Sequence, residues 1–286
     1  MHSFEVRTAD GQCICAREFA HAGATRVVVI APAMGVKQDY YLPFAQWLAD
    51  QGFAAITFDY RGLGESAPRR LRGFRASIDD WALRDLPAVV DAAAARHPGL
   101  AMSYVGHSLG GQIFGLVPNR DRFDTVLTVA SGSGYTPLTA ARLRRTSWLL
   151  WRVIAPAAIA LAGYFPGRTL RVVGDLPAGV MRQWRRWCMH PDYVGSEGPA
   201  VREQYARVRT PITALMFPDD EFMTEPGVRR LHSLYAGAPV RFELMQPQAL
   251  GLAHIGHFGF FREKMRASLW PRTLEWLALA PPHPAH

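Results

Sequence analysis

Ser108 stands in the run Gly106-His107-Ser108-Leu109-Gly110-Gly111. A serine hydroxyl is a poor nucleophile unless a base lies within hydrogen-bond reach. The pattern G-x-S-x-G marks such a serine when it sits on a sharp strand-to-helix turn. The flanks predict that turn. Met102 to Val105 has the β-branched and aromatic character of a short buried strand. Leu109, Ile113, Leu116 and Val117 then recur at helical spacing, and Pro118 stops the run. A side chain at either flanking glycine of the pattern would collide with the backbone of the corner. Two histidines near the other end of the chain, His254 and His257, are candidate bases, because imidazole can take and return a proton near neutral pH. Three carboxylates, Asp219, Asp220 and Glu221, follow the apolar run ITALMF and compete to orient the base and fix its tautomer. The order along the chain is serine, acid, histidine. The chemistry these types can do together is acyl transfer from an ester, thioester or amide.

The elements that must hold these groups read as an alternation of strands and helices. Phe4–Arg7 and Cys13–Glu18 alternate around Asp10-Gly11, a hairpin signal. Val27–Ala31 is a continuous apolar run, as expected of a parallel strand covered on both faces. A helical stripe of Phe44, Trp47 and Leu48 ends at Gly52, and FAAITFDYRG contains the next buried strand. Ser77-Ile78-Asp79-Asp80 opens a capped helix that runs to Gly99 with a kink expected at Pro87. DTVLTVAS, TPITALMFP and PVRFELM are further strands. Phe260, Phe261, Met265, Leu269, Leu274, Trp276 and Leu277 form a final helix broken at Pro271. The expected fold is α/β, a mostly parallel sheet with helices on both faces. Between Ser131 and Val208 the pattern is mainly helical and rich in large residues, with only LRVVG resembling a strand. The expected division is a core of 1–131 and 208–280, an inserted helical cap of 132–207, and a disordered tail at 281–286.

Composition bounds the function. A chain of 286 residues, 49% hydrophobic, suits one large domain or a domain with an insertion. The net charge is +8, and every basic residue except Lys37 and Lys264 is arginine. The densest cluster is Arg142, Arg144 and Arg145, with Arg182, Arg185 and Arg186 further on. No zinc-finger spacing or aromatic RNA-binding signature accompanies it, so no nucleic-acid partner is expected. Attraction to anionic substrates or membrane surfaces stays open. Three cysteines without a pairing framework point to a reducing compartment. MHSFEVRTADG lacks a signal pattern, and the longest apolar stretch, Val153 to Phe165, is short and broken by Pro156 and Gly163. These features together predict a soluble cytoplasmic protein. No residue set has metal-ligand spacing, and no cofactor is expected.

With these motifs in order, the chain resembles the α/β-hydrolase superfamily in its serine hydrolase branch, over roughly Val27 to Leu279. The resemblance rests on VVVIAPAMG, on FDYRGLGES through Asp59, Arg61, Gly62, Gly64 and Ser66, on GHSLGG, on FPDDEFMTEP and on IGHFGFF. IGHFGFF and WRRWCMHPDYV are also similar to bacterial predicted hydrolases of unsettled substrate. The resemblance implies a triad of Ser108, Asp220 and His257, with Asp219 the alternative acid. His254 is then a loop residue, and Asp59 and Arg61 form a structural pair that ties a loop to the sheet. It implies an oxyanion hole of two backbone N–H groups, one from Leu109 and the other from Met34 or Ala33. Many members have His-Gly where this chain has Pro32-Ala33. The implied activity is hydrolysis of an ester or thioester through an acyl-enzyme, without a cofactor. The alternatives are acyl transfer to another acceptor and a binding protein that keeps the fold. Trp148, Trp151, Trp184 and Trp187 of the cap are the candidates to line an apolar acyl pocket for a small-molecule substrate. Oligomeric state is not legible.

Overall fold

Eight strands form one sheet: β1 (His2–Arg7), β2 (Cys13–Ala20), β3 (Arg26–Ala31), β4 (Ala54–Phe58), β5 (Ala101–His107), β6 (Thr125–Val129), β7 (Ile212–Met216) and β8 (Val240–Leu244). The computed structural model describes residues 1–278, so the expected tail at 281–286 lies outside the described residues. The strand order is β1-β2-β4-β3-β5-β6-β7-β8. The β1–β2 hairpin and the β2–β4 pair are antiparallel, and every other pair is parallel. The apolar runs explain the parallel core. Along β3, Val27 and Val29 face one hydrophobic core while Val28 and Ile30 face the other. A strand buried on both faces cannot alternate apolar with polar, and β4, β6 and β7 are likewise buried throughout.

Helices cover both faces: α1 (Leu42–Asp50), α2 (Leu86–Arg96), α3 (Leu109–Gln112), α4 (Ala141–Leu149), α5 (Ala155–Ala162), α6 (Ala178–Cys188), α7 (Pro199–Ala206), α8 (Glu225–His232) and α9 (Trp270–Ala278). Phe44 and Trp47 of α1 pack with Trp270 and Trp276 of α9 on one side, and α2 and α3 lie on the other. Ser77 caps the helical run before α2, accepting from the Asp80 N–H in a reciprocal capping box. A π turn over Trp81–Asp85 precedes Pro87, where an N–H is missing from the ladder. The same arrangement recurs at Leu150–Ile154 before Pro156. Pro271 lies in the first turn of α9 and opens that helix rather than breaking it. The helix after Ser108 is shorter than its apolar spacing predicts: α3 spans one turn and continues as a 3₁₀ turn, Phe114–Leu116.

From α4 to α7 the chain between β6 and β7 is helical, and LRVVG is not a strand. This segment is pinned to the sheet through α3. Tyr193 Oη donates to Gln112 Oε1 (2.8 Å), and Tyr205 Oη donates to the Gln112 carbonyl (2.5 Å). No helix among the described residues is long and apolar enough to cross a membrane.

Asp59 and Arg61 do not pair with each other, which corrects the expected ion pair. The Asp59 carboxylate accepts from the backbone N–H groups of Gln38 and Glu65, both at 2.9 Å. Arg61 instead joins Asp85 (Nε–Oδ1 2.6 Å) and Asp10 (Nη1–Oδ2 2.6 Å). Both residues are structural. Each ties its loop down through a different partner, Asp59 to the turn after β3 and Arg61 to the hairpin and the π turn.

Candidate active site

Ser108 caps the C-terminal end of β5 in a left-handed backbone conformation, φ +49° and ψ −112°. Such a conformation costs a non-glycine residue on the order of 1–3 kcal/mol and persists only where the surroundings enforce it. The surroundings are two glycines with no room for a Cβ. At Gly106 a Cβ would stand 2.5 Å from the Gly111 nitrogen, and at Gly110 it would stand 2.2 Å from the Ala31 carbonyl oxygen. The Ser108 N–H is fixed to the Val129 carbonyl (2.9 Å), and its own carbonyl accepts from Gln112 (3.0 Å). The corner is therefore clamped to β3 and β6 while the side chain is free to act.

His257 and Asp220 come together as expected. The imidazole Nδ1 lies 2.9 Å and 3.1 Å from the two Asp220 carboxylate oxygens, and both residues are buried. A carboxylate only accepts, so Nδ1 carries the proton and Nε2 of the neutral ring is left as a base. Asp220 is itself held by the N–H groups of Phe222 (2.7 Å) and Met223 (2.8 Å). Among the described residues no hydrogen bond joins Ser108 to His257. Contacts of this kind often tighten only when substrate is bound.

The two neighbouring carboxylates hold the backbone of the histidine loop. Asp219 accepts from the N–H groups of Ile255 (2.8 Å) and Gly256 (3.2 Å), and Glu221 accepts from the His257 N–H (2.9 Å). His254 lies between them, with Nδ1 2.7 Å from Asp219 and Nε2 3.0 Å from Glu221. Its exposed ring belongs to the loop, as the resemblance implies. The three consecutive acids thus play separate parts. The middle one orients the ring, and the outer two position the stretch of chain that carries it.

The oxyanion candidates also separate. The Ala33 N–H is spent on the Tyr41 hydroxyl (2.9 Å), whereas the N–H groups of Met34 and Leu109 make no hydrogen bond among the described residues. Tyr41 passes the contact on, since its hydroxyl lies 2.8 Å from His107 Nδ1. His107 Nε2 lies 3.0 Å from the His257 carbonyl oxygen. That carbonyl can only accept, so Nε2 carries the proton of His107 and Nδ1 accepts from Tyr41. Burial holds His107 well below the usual histidine range, with neighbouring His257 acting in the same sense, and the ring is neutral. Neither the distant partner of His107 nor the part played by Tyr41 is legible in the sequence. No periodicity could reveal a partner 150 residues away.

Trp148, on α4, is 58% exposed. Trp151 packs edge-on against Trp184, with ring centroids 5.0 Å apart. Trp187 is fully buried against Tyr193, and its Nε1 donates to Glu197 (2.5 Å). None of the four lines a described cavity.

A second histidine–hydroxyl pair, Thr128 Oγ1 and His232 Nε2 at 2.9 Å, is buried between β6 and α8. The His232 Nδ1 partner is the Val228 carbonyl (2.8 Å), so this ring is a packed structural element without a carboxylate. No group of three His, Cys, Asp or Glu residues that would hold a metal ion occurs among the described residues.

Residues 22–162 match the family model of serine aminopeptidases, S33. The whole fold is similar to several solved hydrolases. A soluble variant of monoglyceride lipase from Saccharomyces cerevisiae superposes with a TM-score of 0.68 at 14% identity, covering 99% of this chain and 97% of the lipase. An esterase from Pyrococcus furiosus gives 0.63 at 14% identity, covering 96% and 90%. A thioesterase domain from the curacin biosynthetic pathway gives 0.56 at 15% identity, covering 96% and 99%.

Proposed function

We propose that the chain is a serine hydrolase of the α/β-hydrolase superfamily that cleaves a carboxylic ester or thioester through an acyl-enzyme on Ser108. His257 Nε2 takes the Ser108 proton as Oγ attacks the carbonyl carbon, and later gives it to the leaving alcohol or thiol. Asp220 holds the imidazole in the required tautomer and stabilises the imidazolium. The N–H groups of Leu109 and Met34 receive the developing oxyanion. Water, deprotonated by His257, then releases the acid and frees the serine. The helical insertion 132–207 serves as the cap over this site.

The single observation that carries the reading is the His257 ring held by Asp220 through Nδ1, in a loop tied through its main-chain carbonyl to His107, the residue before a strained serine at the end of the central strand. A fold retained only for binding has no use for strain at Ser108 or for a buried carboxylate behind the imidazole. Acyl transfer to an alcohol or amine would use the same groups, and product analysis with added nucleophile separates it from hydrolysis. Labelling by a fluorophosphonate probe tests the assignment directly. The wild-type protein should label and should hydrolyse p-nitrophenyl butyrate. Ser108→Ala should do neither while keeping its thermal transition. Full-rate labelling of that variant would remove Ser108 from the mechanism.

A further inference from the structure

A cavity of about 720 Å³ opens where three loops meet: Gly35 and Lys37 after β3, residues 62–72 after β4, and residues 162–175 of the helical insertion. Its charged lining is Lys37, Arg69, Arg70, Arg72 and Arg168 against one carboxylate, Asp175. Arg72 is committed to the wall, where Nε and Nη2 donate to the carbonyls of Ala162 (3.0 Å) and Leu161 (2.8 Å). Asp175 is committed to Arg168, accepting from its backbone N–H (3.0 Å) and pairing with its guanidinium (3.9 Å). Lys37, Arg69 and Arg70 have no ion-pair or hydrogen-bond partner among the described residues. All three side chains are exposed, so their charges converge on the mouth of the cavity. Uncompensated charge on a concave wall is self-repelling unless a counter-charge enters. This group also lies apart from the arginine cluster that the sequence emphasises.

The lining specifies the counter-charge. Guanidinium groups match the geometry of phosphate and carboxylate oxygens. A carboxylate brings one negative charge, whereas a phosphate monoester brings about 1.5 to 2 near neutral pH. Five cations against one anion favour the more highly charged group. The volume falls within the range of small-molecule sites, roughly 300–1,000 Å³, and far exceeds a bare phosphate. The occupant is therefore an organic phosphate. The sign is wrong for a substrate that presents a free ammonium, as an aminopeptidase substrate does. The position matters too, because Gly35 follows Met34, the proposed oxyanion donor.

We propose that this cavity binds a phosphate group of the substrate, making the protein a hydrolase of phosphorylated esters or thioesters rather than neutral ones. The substrate half of this proposal rests on the reading of Ser108, and the anion site does not. Two matched pairs test the substrate and separate its two sources: an acyl-CoA against the same acyl group on N-acetylcysteamine, and a monoacylglycerol phosphate against the monoacylglycerol. Wild-type kcat/KM should favour the phosphorylated member of one pair by about 30-fold at low salt. Arg69→Ala/Arg70→Ala should bring that ratio close to one and leave the neutral member unchanged. Lys37→Glu, on a different loop, should act in the same direction. Calorimetry with inorganic pyrophosphate reads the site alone, and binding should weaken at least about tenfold in the double variant. A ratio near one for both pairs in the wild-type protein, or no pyrophosphate binding, overturns the proposal. Pyrophosphate binding without hydrolysis of any ester, p-nitrophenyl butyrate included, supports the anion site and overturns the reading of Ser108.

Discussion

His107, beside the nucleophile, donates its Nε2 proton to the main-chain carbonyl of His257 across 3.0 Å. The residue before the serine therefore carries the loop of the proposed base. Through Tyr41 the same ring is linked to the Ala33 N–H, so the oxyanion loop, the elbow and the histidine loop are joined by one chain of three hydrogen bonds. All members are buried, where such bonds are strong and an unmatched partner is costly.

Tyr41→Phe removes the middle of that chain and leaves the Ala33 N–H and His107 Nδ1 without their partner. A loss of about 1–3 kcal/mol in unfolding free energy is expected from the orphaned groups. We expect kcat to fall by roughly ten- to a hundredfold with a smaller change in KM, since alignment rather than binding is disturbed. Urea unfolding and steady-state kinetics of the variant measure both. An unchanged kcat would show that the three loops hold their positions without the relay.

The three adjacent acids predict unequal losses. Asp220→Asn should lower kcat by roughly three to four orders of magnitude, because the amide no longer enforces the Nδ1–H tautomer. Asp219→Asn and Glu221→Gln keep the ring contact and weaken only backbone anchors, so losses of about tenfold with lower stability are expected. Kinetics of the three single variants settle the order. A larger loss at Asp219 than at Asp220 would reverse the assignment.

Stability should fall as pH falls through the histidine range. Burial holds His232 down to about 4, outweighing its bond to the Val228 carbonyl. The unfolded chain has a histidine value near 6.5, so below that pH it binds a proton the folded state refuses, and folding weakens. The loss develops between about 6.5 and 4 and amounts to about 3 kcal/mol for this group at the acid end. Buried His107 adds to it in the same sense. Chemical denaturation at pH 7, 5.5 and 4.5 should show the decline, and His232→Asn should flatten it. An equal slope in the variant would assign the pH dependence to other groups.

The strain at Ser108 gives a fourth expectation. Glycine adopts a positive φ at little cost, so Ser108→Gly should be more stable than Ser108→Ala by about 1 kcal/mol while both are inactive. Thermal unfolding of the two variants side by side is the measurement. Equal stability would mean that the corner relaxes once the serine is gone.

The sheet was legible wherever burial on both faces imposes an apolar run, as at Val27–Ala31, and at the hairpin around Asp10-Gly11, where alternation and turn chemistry agree. The sharp turn at Ser108 and the meeting of Asp220 with His257 were legible because each motif directly follows an apolar strand run or its loop, after β5, β7 and β8. The one-turn length of α3 was not, since Leu109, Ile113 and Leu116 keep helical spacing while Gly110, Gly111 and Gly115 weaken the ladder between them. Nor were the separate partners of Asp59 and Arg61, because neighbours in sequence need not meet in space. Tyr41 and the cation-lined cavity were hidden for a related reason. Each takes its meaning from chain segments far away in sequence.

The relay also sets when in folding the site can exist. Its contacts close loops of 66 and 150 residues, and the acid reaches the histidine ring across 37 more. Closures of that span are entropically slow and follow local helices and hairpins. A refolding chain can therefore regain its circular dichroism before it regains turnover, and recovered activity is the stricter measure of how many molecules have reached the native state.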